Sequence, residues 1–419
     1  MKNLISSLFT MVLTLFLVVG VMAQTTTIDH YRPAGLEGVN VFEAPKTTDT
    51  PFDGIRILVG GDFAIQLQGL SQTNSGDSLA ELSNNFNLPT ANLNIDVQLD
   101  KGVRLHMRTY MSSRHHVEGW VKGGYIQFDN LDFIQEGFAE EFMKNFRIKV
   151  GMDDINYGDT HFRRTDNARA IYNPFVGNYL MDSFTTEPFM EFTYLKNGFI
   201  GVLGATNGRL NQSPTPGDDG FVLYGKLGYD TQVNDDLRVR LTGSFYNSSD
   251  KGTRDYLYNG DRAGGRYYDV LTGSDFAGRF VPGFAGSRTP VEDLGYFTAF
   301  QFNPFVKFQG LEFFGVLEFV GNSDVEGSYT HLGTEALYRF GTNENFYVGG
   351  RFNSVSGEAA DGAPTQEISR INIGGGWFLT NNVVAKFEYV SQTYDDGFDG
   401  SPLEGAEFDG FMIEAVIGF

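Results

Sequence analysis

From about residue 53 to the end, apolar and polar positions alternate with a period of two. In GFMIEAVIGF, residues 410 to 419, Phe411, Ile413, Ala415, Ile417 and Phe419 share one parity, while Met412, Glu414, Val416 and Gly418 share the other. Successive side chains of a strand point to opposite faces, so this stretch reads as a strand with one continuously apolar face. The clearest pair lies at 91 to 111. Ala91, Leu93, Ile95, Val97 and Leu99 oppose Asn92, Asn94, Asp96 and Gln98; after Asp100-Lys101-Gly102, Val103, Leu105, Met107 and Met111 oppose Arg104, His106, Arg108 and Tyr110. This predicts a tight hairpin whose return strand resumes the same parity. Sixteen such segments can be read, from IRILVGGDFAIQLQG (55 to 69) through starts near Trp120, Phe146, Pro188, Phe199, Phe221, Leu237, Tyr296, Leu311, Tyr329, Phe346, Ser369 and Val383 to Phe408. The exception is LDFIQEGFAEEFMKNF (131 to 146), expected to form a short helix capping a turn.

The connections alternate in length, except that the turn at 130–145 is long where a short one is due. Short turns fall at 100–102, 196–198, 230–235, 309–310, 341–344 and 380–382, and long connections at 71–90, 153–186, 208–219, 247–294, 354–367 and 391–407. An even strand number, a wall apolar outside and polar inside, and this alternation predict an all-β transmembrane antiparallel barrel with short periplasmic turns and long extracellular loops. The expected organisation is a signal peptide at 1–23, a periplasmic extension at 24–52 and the barrel at 53–419. Met1-Lys2-Asn3, an apolar stretch to Met22 and the small residues before Gln24 place cleavage between Ala23 and Gln24. Export of such a barrel implies the outer membrane of a Gram-negative bacterium, with lipid against the apolar face.

The absence of cysteine removes disulfides, thiolate nucleophiles and sulfur-ligated metals. After the leader no segment approaches eighteen consecutive apolar residues, which excludes helical spans. The 52 Gly, 39 Phe and 20 Tyr supply close packing and interfacial rings instead. The formal charge of −21 suggests a cation-attracting protein, but the inward parity reads otherwise. Leaving out the fourth strand, whose parity is ambiguous at Gly123-Gly124, thirteen basic residues face the lumen: Arg56, Arg104, Arg108, Arg147, Lys149, Lys226, Arg238, Arg240, Lys307, Arg339, Arg351, Arg370 and Lys386. Eight acids face it from the same strands: Asp62, Asp96, Glu191, Glu312, Glu318, Glu335, Glu388 and Glu414. The remaining acids sit in loops, beyond a Debye length of about 8 Å at physiological salt, so the wall predicts an anion preference.

The connection at 153–186 sets Arg163, Arg164 and Arg169 among Asp153, Asp154, Asp159 and Asp166. Two readings stand: a charged constriction that sorts permeants by their sign, or a solvated loop with scattered ion pairs. The acids lack the oxygen spacing of a calcium loop. His115-His116 read as an exposed pair, because neighbours on a strand point apart. His106 and Ser112 share a parity but lie about 20 Å apart along a strand, which argues against hydrolysis. No enzyme activity, cofactor, metal or nucleic-acid partner is expected. The loop at 247–294, with Lys251, Arg254, Arg262, Arg266, Arg279 and Arg288, is expected either to fold into the mouth or to cap it, or else to be disordered.

Four stretches carry a family resemblance: NVFEAPK (40–46), RIKVGMDDINYG (147–158), HLGTEALYRF (331–340) and GGGWFLTNNVVAKFEYVSQTYDDGF (374–398). On these the chain resembles the sixteen-stranded porins, and among them the phosphate-selective porin family in the form found in Bacteroidota. The resemblance implies passive diffusion of small hydrophilic solutes and phosphate-like anions, a homotrimer, and a third loop (153–186) folded into the lumen with Arg163, Arg164 and Arg169 at its constriction. It also implies that the terminal Phe419 is read by the barrel-assembly machinery. The rival is a structural or ligand-binding barrel with an occluded lumen and functional loops.

Overall fold

The computed structural model describes residues 28–46, 51–87, 89–112, 118–208, 221–248, 257–258, 264–271, 277–284 and 297–419. The cleavage point at Ala23 and Gln24 and the pair His115-His116 lie outside the described residues. Sixteen long strands follow in order: Arg56–Thr73, Thr90–Asp100, Val103–Ser112, Glu118–Phe128, Phe146–Asp154, Thr186–Lys196, Phe199–Thr206, Val222–Gln232, Leu237–Ser248, Phe297–Phe308, Leu311–Asn322, Gly327–Phe340, Phe346–Glu358, Gln366–Thr380, Val383–Asp396 and Glu407–Gly418. Each pairs antiparallel with its sequence neighbours. The first also pairs with the last, Phe63 opposite Ile417 and Gln66 opposite Glu414, which closes the sheet into a barrel. A two-residue strand, Asn85–Phe86, lies beside Leu67 and Gln68 of the first.

Turn chemistry supports the short connections. Asn197 and Gly198 have φ of 51° and 85°, the two positive values of a type I′ hairpin, so two residues suffice to reverse the chain. The expected helix shrinks to Glu140–Met143. The parity ambiguity in the fourth strand also has a cause. Arg108 faces Gly123 and Thr109 faces Val121, so Lys122 is the extra residue of a bulge that turns it inward.

The outward parity is apolar and exposed, as at Ile57, Val59, Leu227 and Ile373. Near the short turns, Phe340, Phe346 and Trp377 stack across three strands at centroid spacings of 5.6 and 5.5 Å, an arrangement suited to an interfacial aromatic girdle. The inward parity is polar but is not simply wetted. Much of the lumen holds polypeptide. The connection at 155–185 folds inward, and the described parts of 247–294 pack onto it, Met181 bridging to Phe280 as a parallel pair. Val176, Leu180, Tyr258, Tyr267 and Phe280 thus form an apolar core inside the barrel with Tyr246, Tyr329 and Val355 of the wall.

The N-terminal extension corrects the simplest picture of a periplasmic appendage. Residues 28–46 do lie at the short-turn end, but they pack into the lumen there. Leu36 N–H donates to Asn381 O in the turn at 380–382, and Arg147 donates to the carbonyls of Ala44 (2.8 Å) and Pro45 (3.2 Å).

Candidate functional site: a charged chamber in the lumen

Asn40, Glu43 and Lys46 of the N-terminal segment each meet a charge on or beside the wall. Asn40 donates to Glu312 at 2.8 Å and accepts from Arg163. Glu43 accepts from Arg240 at 2.8 Å, and the Lys226 ammonium lies 3.3 Å away. Lys46 reaches Asp129 at 3.0 Å. Burial opposes ionisation of Glu43, but Arg240 and Lys226 outweigh it and hold its carboxyl down at about 2. Asp159 of the inward loop shares both cations, and despite burial its carboxyl is also held well below the usual range.

Of the three loop arginines Arg163 and Arg164 are buried and Arg169 is half-buried, and all three are occupied. Arg163 bridges Glu312 at 2.7 Å and Glu335, on adjacent strands. Arg164 donates to Asp182 of its own loop at 2.6 and 3.0 Å, its guanidinium 3.8 Å from the centre of the Phe184 ring. Arg169 binds Asp154. Both Asp153 and Asp154 belong to the end of the fifth strand, not to the loop. Arg163 and Arg169 therefore fasten the loop to the wall, and Arg164 braces the loop from within; they do not face one another across a gap. Next to them, burial and the nearby Lys226 push the His161 imidazole down to about 3, so it is neutral at ordinary pH.

The expected lining residues point inward, yet most are matched. Arg104 pairs with Asp96, Arg108 with Asp153 and Asp166, Arg147 with Asp129, Arg238 with Asp230, Arg339 with Glu312 and Arg351 with Glu335. Arg370 donates to Gln392 and to the Asn178 carbonyl, both at 2.7 Å. Lys149 lies 4.9 Å from the centre of the Tyr125 ring. On the closing strand Glu414 gathers three partners, Gln66 at 3.0 Å, Lys386 at 2.9 Å and Arg266 of the long loop at 2.9 Å. The wall's basic surplus is thus offset by acids that the parity count placed elsewhere, namely Glu43, Asp129, Asp153, Asp159 and Asp166. Their sequence separation from their partners, 197 positions for Glu43 and Arg240, leaves no local signal.

Between the N-terminal segment, the inward loop and the first six strands remains a chamber of about 160 Å³. Six basic and six acidic side chains line it, among them Arg104, Arg108, Arg169, Lys149, Asp62, Asp154 and Glu191, so its walls carry no net side-chain charge. Among the described residues no group of three or more His, Asp or Glu suits a metal.

No family model and no curated protein sequence matches this chain. Solved structures do. The trimer form of OmpT, an outer membrane protein of Vibrio cholerae, superposes over 88% of this chain and 100% of its own at TM-score 0.51 and 10% identity. Salmonella typhi OmpF in complex with daunomycin covers 88% and 98% at TM-score 0.53 and 11% identity. An anion-selective porin from Comamonas acidovorans covers 87% and 100% at TM-score 0.52 and 11% identity. At such identities the likeness concerns architecture, and the chain is a closed sixteen-stranded antiparallel β-barrel similar in fold to outer-membrane porins.

Proposed function

We propose that the protein is an outer-membrane channel of the porin type, passing small hydrophilic solutes by diffusion through a lumen narrowed by loop 155–185 and residues 28–46. The observation that carries this is the charged chamber inside a closed barrel whose outer face is apolar. A polar interior within an apolar wall suits an aqueous path across lipid. The leader peptide, assembly through Phe419 and a homotrimer belong to the same reading. Anion preference has support in the inward arginines. However, the balanced lining and the engagement of Arg163, Arg164 and Arg169 with acids favour a weak preference over a phosphate-selective ladder. Purified protein in a planar bilayer, with KCl at unequal concentrations on the two sides, tests the proposal. Discrete conductance steps with a reversal potential slightly towards anion selectivity are expected. Absence of any conductance would favour a barrel whose loops serve another role.

A further inference from the structure

The chamber holds charges of both signs that the protein does not pair. Lys149 and Glu191 are register partners on adjacent strands, both turned inward, and both line the chamber. Among the described residues neither has an ion-pair partner within 4.0 Å. The Lys149 ammonium lies by the Tyr125 ring, while Glu191 accepts only from neutral hydroxyls, Tyr224 at 3.0 Å and Thr193 at 3.1 Å. Asp62, on the first strand, is similar: it accepts from the amides of Asn94 at 3.0 Å and Asn92 at 3.4 Å, with no cation at pairing distance. Most other charged groups lining the chamber, such as Arg104 with Asp96 and Arg169 with Asp154, are tied into ion pairs, so these three differ from most of their neighbours.

An anion entering such a space gains from Lys149 but meets Glu191 and Asp62, and a cation meets the reverse. A molecule bearing both charges a few ångströms apart satisfies both sets, and charged groups withdrawn from water are stabilised only by such partners. The volume sets the size. A cavity of about 150 Å³ accommodates benzene, so 160 Å³ suits a ligand of roughly six to eight heavy atoms.

We propose that the chamber is a binding site for a small zwitterion of the α-amino-acid class, its carboxylate at Lys149 and its ammonium at Glu191 or Asp62. This deepens the channel reading, and rests on it for the route by which the solute arrives. The site would slow and select a subset of permeants by retaining them.

Calorimetric titration of the full folded chain in detergent micelles tests the site without requiring conduction. Glycine and alanine should bind in the millimolar range, whereas acetate, methylamine and inorganic phosphate should each bind at least tenfold more weakly. Lys149→Gln and Glu191→Gln, checked for the folded barrel, should each weaken glycine binding about tenfold. The comparison of ligands on the unaltered protein stands even if a variant fails to fold. Acetate or phosphate binding as tightly as glycine would overturn the proposal in favour of an anion site, methylamine doing so would favour a cation site, and no binding by any of them would remove the site. Binding without conductance would count against the channel alone; conductance without binding would count against the site alone.

Discussion

Gly61 and Phe419 exchange both backbone hydrogen bonds, Gly61 N–H donating to Phe419 O at 2.9 Å and Phe419 N–H to Gly61 O at 3.0 Å. The last residue is thus part of the seam, one step beyond the pairing of Asp62 with Gly418. Deleting Phe419 removes both bonds and exposes the Gly61 backbone at a sheet edge. The expected outcome is less folded barrel in the membrane, read as a smaller heat-modifiable fraction on unboiled gels. Undiminished folded barrel would show that the seam closes without it.

Among the described residues Leu227 is the most exposed large apolar one, 76% accessible, at the middle of an eleven-residue strand. Against lipid, Leu227→Arg should cost about 2–4 kcal/mol. Leu227→Met should be close to neutral. Urea unfolding in lipid vesicles reads the difference, and equal stability of the two variants would mean that this face does not meet the bilayer core.

Glu43 links acid sensitivity to the N-terminal segment. Its carboxyl, ordinarily near 4.5, is held at about 2 in the folded protein, so it contributes stability that is fully present above pH 4.5 and disappears as pH falls through about 2. Docking of residues 28–46 should persist from pH 7 to 5 and weaken between about 4.5 and 2. Glu43→Gln should loosen the segment at neutral pH, because Lys226 and Arg240 then retain only Asp159 and Asp230. Hydrogen exchange of residues 28–46 measures the docking; bilayer conductance should rise with its release.

Arg163 serves two buried carboxylates. Arg163→Met leaves Glu312 with Arg339 and Glu335 with Arg351, each short of one cation. Removing one member of a buried ionic cluster costs about 3–5 kcal/mol. The same change at Lys101, an exposed turn residue whose contact with Asp132 is 3.5 Å, should be within experimental error of neutral. Paired unfolding titrations of the two variants decide whether the inward loop is held by this cluster.

The strands were legible because a wall apolar on one face and polar on the other repeats every two residues. Every strand start read from parity lies within three residues of the observed one, and Phe346, Phe199 and Val383 coincide with it. Parity slipped only where a backbone bulge broke it, at Lys122. The contents of the lumen were not legible. Parity says which way Arg240 points but not that Glu43 will meet it, because that contact depends on where a segment without periodicity comes to rest. NVFEAPK could be read as distinctive, yet only the fold shows that Asn40, Glu43 and Lys46 each engage the wall while Phe42 packs 4.2 Å from the Arg240 guanidinium.

Glu414 lies on the strand that completes the sheet and binds Gln66 of the first strand, Lys386 of its neighbour and Arg266 of the long loop. The two edges are therefore joined by a carboxylate as well as by their ladder, and one of its ligands belongs to no strand. A loop seated inside before closure would act as a mandrel, offering Arg266 to the incoming strand and opposing a register slip, since a shift by one residue would turn Glu414 out towards the apolar face. First strand, closing strand and interior loop thus meet at one carboxylate, so the loss of Arg266 would be felt at the seam as well as in the loop.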